Sequence, residues 1–151
     1  MRVVFDTNIF VSALVFPGGR ADAALQRILD GDDTLIISPA IIAEVLAVLA
    51  RKFGQHPEEL SRVAVLLSEA AEMVNPRKRL TVLADEPDNR ILECALAGSA
   101  EAVVTGDKAM LLLKSFQGIA LMSLDSYLTT ACLVLRFISS LTYSIRLCRS
   151  T

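Results

Sequence analysis

Four acidic residues follow or interrupt apolar segments in a pattern that can do chemistry. Asp6 closes the first apolar run of the chain, and Asp107 closes a later one. Glu44 lies inside an apolar helical stretch, and Asp88 opens a helical pattern. A carboxylate is costly to bury unless it is paired or binds a metal. Several acids at the edges of the core therefore indicate a site for a hard divalent cation, and with it a metal-dependent enzyme.

Four carboxylates held close together repel one another, and Mg²⁺ or Mn²⁺ with oxygen ligands removes that repulsion. Two such ions would activate a water and stabilise the leaving oxygen in phosphodiester hydrolysis. We assign Asp6 as the central ligand. Asn8 is two residues further on, and we expect it at the same strand end, with its amide in the same crevice. Thr105 supplies a hydroxyl just before Asp107.

Each of these acids, taken alone, also fits a structural role. An Asp after a strand is commonly a turn residue or a helix cap, and Asp88 is well explained as an N-cap. Glu44 could pair with Arg or Lys. Asp85 competes with Asp88 for the third position, and the apolar residues after Asp88 favour the latter. Joint placement of all four acids favours function.

The elements that must position the acids alternate along the chain, which predicts βαβ units and a parallel sheet covered on both faces. Ser38 and Pro39 are typical of a helix start, and Gly54 of a helix end. Ligands bind at the carboxyl ends of the strands in such sheets, where Asp6 and Asp107 both lie. The predicted strands are 2–6, 34–37, 80–83, 102–105 and 119–122, and the predicted helices are 8–15, 20–30, 39–53, 57–73, 88–97 and 107–114.

The chain of 151 residues suits one domain with a real core. Its net charge of -2 gives no overall basic signature, but if a metal neutralises four of the 17 acids, 13 remain against 15 Lys and Arg. The three cysteines have no CxxC spacing, so we expect reduced thiols and a cytoplasmic protein. The sequence opens directly on an apolar strand, so we expect no signal peptide. We interpret the single histidine, His56, as a surface loop residue.

Residues 1–128 form the predicted domain, and residues 129–151 form a tail of different character. Its apolar run is short and is broken by Arg136, so we expect no membrane span. A packed helix or an oligomer contact is favoured, and an unnatural extension of the chain stays open.

At its acidic motifs the chain resembles a PIN domain, and most of all the VapC-like toxin branch of toxin–antitoxin pairs. The resemblance runs from residue 1 to about 128. It implies a three-layer α/β/α sandwich and a ribonuclease that uses Mg²⁺ or Mn²⁺. It also implies neutralisation by a cognate antitoxin, and homodimers are common in the family. Carried over to this chain, the acidic site is Asp6, Glu44, Asp88 and Asp107, supported by Asn8 and Thr105. The matching motifs are Val3 to Asn8, Ser38 to Glu44, Asp85 to Leu92 and Val103 to Asp107.

Basic side chains are the candidates for contacts with the phosphates of RNA. Lys108 and Arg90 are favoured because each is next to a site acid, whereas the run 77–79 reads as a solvated turn. Few aromatic residues are present, so extensive base stacking is not expected. The wider set of candidates is Arg20, Arg51, Lys52, Arg77, Lys78, Arg79 and Lys114.

Two other function classes place an Asp after the first strand. A haloacid-dehalogenase-like phosphatase needs a second acid two residues later, where Asn8 stands, and another where Leu111 stands. A receiver domain carries its phosphorylated Asp on a middle strand, whereas the strand 34–37 leads into Ser38. A catalytically inactive PIN domain that only binds a partner is the third alternative, and the intact acids argue against it.

Overall fold

The structure, a computed structural model, describes residues 1–130. The strands are β1 (Arg2–Phe5), β2 (Thr34–Ile37), β3 (Ala71–Met73), β4 (Ala102–Val104), β5 (Ser115–Phe116) and β6 (Ile119–Met122). The helices are α1 (Thr7–Val15), α2 (Arg20–Leu29), α3 (Pro39–Phe53), α4 (Pro57–Ala70), α5 (Glu86–Ala97) and α6 (Lys108–Leu112). Residues 124–130 are also helical. Apart from residues 129 and 130, the predicted tail lies outside the described residues.

The strands form one sheet in the order β3-β2-β1-β4-β6-β5. All neighbouring strands are parallel except β5 and β6, which are antiparallel. The chain moves outward from β1 to β3 on one side and from β4 on the other, so the strand order reverses between β1 and β4. A crevice opens at the carboxyl ends of strands where such a reversal occurs. Asp6 and Asp107 follow these two strands.

Both faces of the sheet are buried. Val3, Val4 and Phe5 of β1 have no solvent exposure, and the same holds for residues 35–37 of β2. Continuous apolar strands of this kind are typical of a parallel sheet covered on both sides. The three-layer α/β/α sandwich predicted from the sequence is confirmed.

Local signals set the ends of α3 as the sequence predicts. The Ser38 hydroxyl accepts a hydrogen bond from the Ile41 N–H at 3.4 Å, and Pro39 occupies the first helical position. Gly54 ends the helix with a φ of 61°, in the left-handed region where glycine carries no steric penalty. The acid at position 44 is therefore held on a helix with fixed ends.

The predicted strand at 80–83 is wrong. Side chains of α5, rather than a neighbouring strand, bind its backbone. Glu93 accepts a hydrogen bond from the Leu80 N–H at 2.7 Å. The Asn89 amide accepts from the Leu83 N–H and donates to the Leu83 carbonyl, both at 2.8 Å. These bonds fix the segment that leads into α5 without adding it to the sheet.

Other element boundaries also differ from prediction. Residues 71–73, expected in a helix, form β3 because they pair with β2 at the edge of the sheet. The helix expected to begin at Asp88 begins at Glu86, with Asp85 as its N-cap residue. The short β5 was not predicted, since two residues carry no periodic signal. No helix within residues 1–130 is long and apolar enough to cross a membrane.

Candidate active site

Asp6 lies at the switch point with only 4% of its surface exposed. It is the N-cap residue of α1, and its Oδ1 accepts a hydrogen bond from the Asn8 N–H at 3.4 Å. Its own N–H donates to the Val104 carbonyl at 2.9 Å, which joins the end of β1 to β4. Burial raises the pKa of Asp6, the Thr105 and Asn8 hydrogen bonds oppose this rise, and the charge of Asp107 adds to it.

Thr105 links the two strand-end acids. Its fully buried hydroxyl donates to Asp6 Oδ2 at 2.8 Å and accepts from the Asp107 N–H at 3.0 Å. Asp107 in turn caps α6, because its Oδ1 accepts from the Met110 N–H at 2.9 Å. The expected supporting role of Thr105 has a concrete geometry: it orients one carboxylate and the backbone of the other. A Cβ at Gly106 would meet open space, so no close backbone approach requires that glycine.

Asp88 joins these acids from α5. It is 8% exposed, and it lies in the first turn of the helix rather than at the N-cap, so the structural alternative that made Asp88 an N-cap is wrong. Burial, followed by the charges of Asp107, Asp6 and Asp85, raises the pKa of Asp88 to about 6. Asp85 is exposed. Of the two competing acids, Asp88 is therefore the one buried beside the strand-end carboxylates.

No cationic side chain compensates this group of acids among the described residues. Asp6, Asp88 and Asp107 make no ion pair within residues 1–130. Within the same residues, no three Asp, Glu, His or Cys side chains already converge as a formed metal centre. The three acids are thus electrostatically coupled without being drawn into one coordination sphere.

Glu44 approaches from α3 and lines a separate small cavity of about 210 Å³. Thr7, which follows Asp6, and Pro87, which precedes Asp88, line the same cavity. Ile41 and Val45 beside Glu44 are buried, whereas Glu44 itself is half-buried. The carboxylate therefore borders the apolar face of α3, as the sequence predicts. Sequence analysis missed Thr7, and its position between Asp6 and Asn8 was the available signal.

Asn8 is not at the strand end where we expected it. Asp6 caps α1 and the helix begins at Thr7, so Asn8 is the second residue of a helix and is exposed. Its backbone N–H, rather than its amide, contacts Asp6. The amide stands at the surface beside the acidic group.

The two favoured cations differ in their surroundings. Arg90 is largely buried, and its guanidinium lies 2.9 Å from Glu86 and 3.1 Å from Glu93. It also donates to the Leu80 carbonyl at 3.2 Å. Lys108, the first residue of α6, is exposed and makes no ion pair in the described part of the chain. Arg90 therefore stabilises the start of α5 and the segment before it as well as lining the Glu44 cavity. The charge of Lys108 is not engaged by an acid within residues 1–130.

Comparison with known sequences decides the family. The PIN-domain family model matches residues 2–109, which include all four acids. The chain belongs to the PIN-domain family. The chain is also similar to Uncharacterized protein MJ1680 of Methanocaldococcus jannaschii, with 30% identity over 118 residues that cover 76% of each protein.

Solved structures share the fold of this PIN domain. One is VapBC2 from Rickettsia felis bound to a DNA fragment from their promoter, with a TM-score of 0.60 at 18% identity over 82% of this chain and 98% of that one. Another is VapBC-1 from nontypeable Haemophilus influenzae, with a TM-score of 0.58 at 17% identity over 83% of this chain and 99% of that one. At these identities the similarity concerns the fold.

Proposed function

We propose that this PIN domain is a metal-dependent endoribonuclease of the toxin type, with Asp6, Glu44, Asp88 and Asp107 as its acidic site. The observation that carries the proposal is the group formed by Asp6, Asp88 and Asp107. These carboxylates are buried or half-buried at the switch point of the sheet, and no cationic side chain within residues 1–130 pairs with them. Such an arrangement is unfavourable unless a cation offsets it.

The donor set fits Mg²⁺ or Mn²⁺. Every candidate ligand is a carboxylate oxygen, the donor that hard divalent cations prefer. Burial, and after it the charges of neighbouring acids, raises the pKa values of Asp6 and Asp88, and a bound cation would offset both effects. Asp6, Asp88 and Asp107 would hold the ion, and Glu44 would join from α3. A bound divalent cation lowers the pKa of a water and offsets charge on the phosphate.

The remaining chemistry is assigned to side chains of the chain itself. Thr105 holds the Asp6 carboxylate in one orientation through its hydroxyl at 2.8 Å. Asn8 and Lys108, both exposed beside the acids, are proposed to contact the phosphate of the substrate. In the proposed reaction a water oxygen bonds to phosphorus and the bond to the 3′ oxygen breaks. The water's proton ends on that 3′ oxygen, and the product carries a 5′ phosphate.

A cognate antitoxin is the proposed protein partner, and a homodimer is the proposed assembly. The resemblance to VapC-like toxins and the fold shared with the VapBC structures support the proposal of an antitoxin partner. Exposed large apolar side chains, among them Phe16 at 61% and Leu112 at 80%, are available for contacts of either kind.

The deciding experiment compares cleavage of a mixed RNA panel by the parent, Asp88→Asn and Asp85→Asn, with Mn²⁺, Mg²⁺ or EDTA. Asp85 is a matched control because it lies three residues away, is exposed, and makes no capping hydrogen bond. We expect the parent and Asp85→Asn to cleave with metal, and Asp88→Asn to be inactive. No cleavage by a folded parent under any condition would favour the partner-binding alternative.

A further inference from the structure

Three neighbouring cavities lie between Glu44 and the basic run at 77–79. Three cavities share lining residues in sequence. The Glu44 cavity and a middle cavity of about 220 Å³ both contain Ala40 and Arg90. The middle cavity and a third, of about 260 Å³, both contain Pro76 and Glu93. We call these three cavities together the α3–α5 groove, since they run between the start of α3 and the side of α5.

The charge along the α3–α5 groove changes away from the acids. Its first cavity holds Glu44 and Glu86, its middle cavity holds Arg79, and its last holds Arg77 and Lys78. The three basic side chains are exposed, and none makes an ion pair with another group in residues 1–130. The cationic end therefore has charge available for an anionic ligand.

A backbone donor stands where the first two cavities meet. Ala40 is the second residue of α3, and its N–H has no hydrogen-bond partner among the described residues. The Ser38 hydroxyl accepts its hydrogen bond from the Ile41 N–H, and Pro39 has no N–H. The start of a helix with a free N–H attracts phosphate oxygens. The groove thus presents a donor between its acidic and its basic end.

Side chains of α5 hold the basic run against this groove. The Leu80 N–H donates to Glu93, and the Leu80 carbonyl accepts from Arg90. Both backbone groups of the residue that follows Arg79 are therefore bound to α5. Glu93 is buried and its charge faces Arg90 at 3.1 Å, so it adds little repulsion within the groove. This fixation favours a built binding surface over the solvated turn expected from sequence.

We infer that the α3–α5 groove binds the backbone of single-stranded RNA on one side of the cleavage point, with Arg77, Lys78 and Arg79 contacting successive phosphates. The inference rests on the proposed ribonuclease activity. The groove is basic at one end and contains Glu44 at the other, where Thr7 and Pro87, the neighbours of Asp6 and Asp88, also line it, and this suits a strand that enters the proposed site. The chemistry it recognises is a run of phosphates rather than base sequence.

The test removes the positive charges of Arg77, Lys78 and Arg79 and compares RNA binding with that of a variant that loses three positive charges outside the groove. The groove variant is Arg77→Gln/Lys78→Gln/Arg79→Gln. The control is Arg51→Gln/Lys52→Gln/Arg62→Gln, whose residues lie late in α3 and in α4 and are exposed. The sequence made Arg51 and Lys52 candidates for phosphate contacts, but they line none of the three cavities, so the inference assigns them no such contact. Both variants lose three positive charges, so a purely global charge effect would be equal in the two.

Binding of a labelled single-stranded RNA is measured by fluorescence anisotropy in EDTA, over a range of salt concentrations. The logarithm of the affinity falls linearly with the logarithm of the salt concentration, and each phosphate contact adds about 0.7 to the magnitude of this slope for a single strand. The magnitude should therefore be smaller by about 2 in the groove variant than in the parent. We expect about a tenfold loss of affinity at low salt, and less than about twofold in the control. An equal loss in both variants would overturn the inference.

Cleavage kinetics separate this inference from the function on which it rests. The groove variant should raise KM on a long RNA with kcat little changed, because the lost contacts are made equally in the ground and transition states. On a dinucleotide, which cannot reach the basic end, the parent and the variant should be alike. If the parent binds RNA through the groove but never cleaves it, the proposed nuclease activity would be refuted and the proposed RNA-binding surface would stand. A parent that cleaves with a KM unaltered by the variant would refute the groove alone.

Discussion

Two acidic centres lie at opposite ends of the same sheet, and they differ in how their charge is compensated. At the amino end, just before β2, Asp33 accepts hydrogen bonds from the Met1 ammonium at 3.0 Å, from Arg27 at 3.2 Å and from the Tyr127 hydroxyl. At the carboxyl end, the Asp6 carboxylate accepts from the Thr105 hydroxyl and the Asn8 N–H, and it makes no ion pair within residues 1–130.

The pKa values of the two centres move in opposite directions. Burial by itself would raise the pKa of Asp33, but hydrogen bonds from Tyr127 and Met1, with the positive charges of Met1 and Arg27, lower it overall. Burial and neighbouring acids raise the pKa of Asp6 and Asp88. We assign a stabilising role to the acid that the fold compensates, and we assign the proposed cation to the acids that make no ion pair within residues 1–130.

Catalysis should show the largest contrast between the centres. Asp6→Asn should lower the rate of metal-dependent RNA cleavage at least about a hundredfold, since the loss of a cation ligand removes several kcal/mol of transition-state stabilisation. Asp33→Asn should leave the rate of the folded fraction within about twofold. Single-turnover cleavage at temperatures where both variants are folded measures this. Similar losses of cleavage rate in both variants would contradict the assignment of catalysis to the acids at the carboxyl end alone.

Stability should respond in the reverse order. Asp33→Asn should lower the free energy of unfolding by about 2–3 kcal/mol, because Arg27 and the Met1 ammonium would lose their buried anion. Asp30→Asn is the matched control, since Asp30 is exposed in the same turn and should change stability by less than about 0.5 kcal/mol. Urea unfolding followed by circular dichroism reports both values. A loss no greater than that of the control would show that Asp33 is not a stabilising centre.

Metal should stabilise the protein through the carboxyl end alone. Excess Mn²⁺ should raise the free energy of unfolding by about 1–3 kcal/mol, depending on its ratio to the dissociation constant. The gain should vanish in Asp6→Asn and persist in Asp33→Asn. Urea unfolding with Mn²⁺ or EDTA tests this without any reference to activity. Equal gains in both variants would place the cation elsewhere.

The pH dependence of the free energy of unfolding should be the smallest effect, and its direction follows from the pKa shift of Asp88. The pKa of Asp88 is raised from 3.8 to about 6, so the folded state holds this proton more tightly than the unfolded state. The contribution of Asp88 to stability therefore falls as pH rises through about 4 to 6 and stays low above it. Without metal, Asp88→Asn should be more stable than the parent by about 1–2 kcal/mol at neutral pH, and the difference should disappear below about pH 4.

Urea unfolding in EDTA at a series of pH values measures that difference. Asp33 supplies the opposite case: its lowered pKa means that its contribution is present above its ordinary pKa and is lost as pH falls through the lowered value. An Asp88→Asn protein less stable than the parent at neutral pH would contradict the excess of negative charge at the carboxyl end.

Much of the scaffold follows from local signals. The strand 34–37, the helix 39–53 and the strand 119–122 have the predicted bounds, because apolar runs, an N-cap serine and a terminal glycine act over a few residues. The expected strand at 80–83 failed for a tertiary reason: side chains from α5 bind Leu80 and Leu83, and no neighbouring strand pairs with them.

The order of acids along the sequence determined that Asp6 and Asp107 would meet at the carboxyl ends of parallel strands, since that follows from the βαβ pattern alone. Only the tertiary structure decided which acids lack a partner. Asp33 precedes a strand in the sequence without any sign of its partners, yet the fold brings Met1 and Tyr127 to it from distant positions in the chain. Charge compensation depends on distances between residues far apart in the chain, and a linear pattern does not contain those distances.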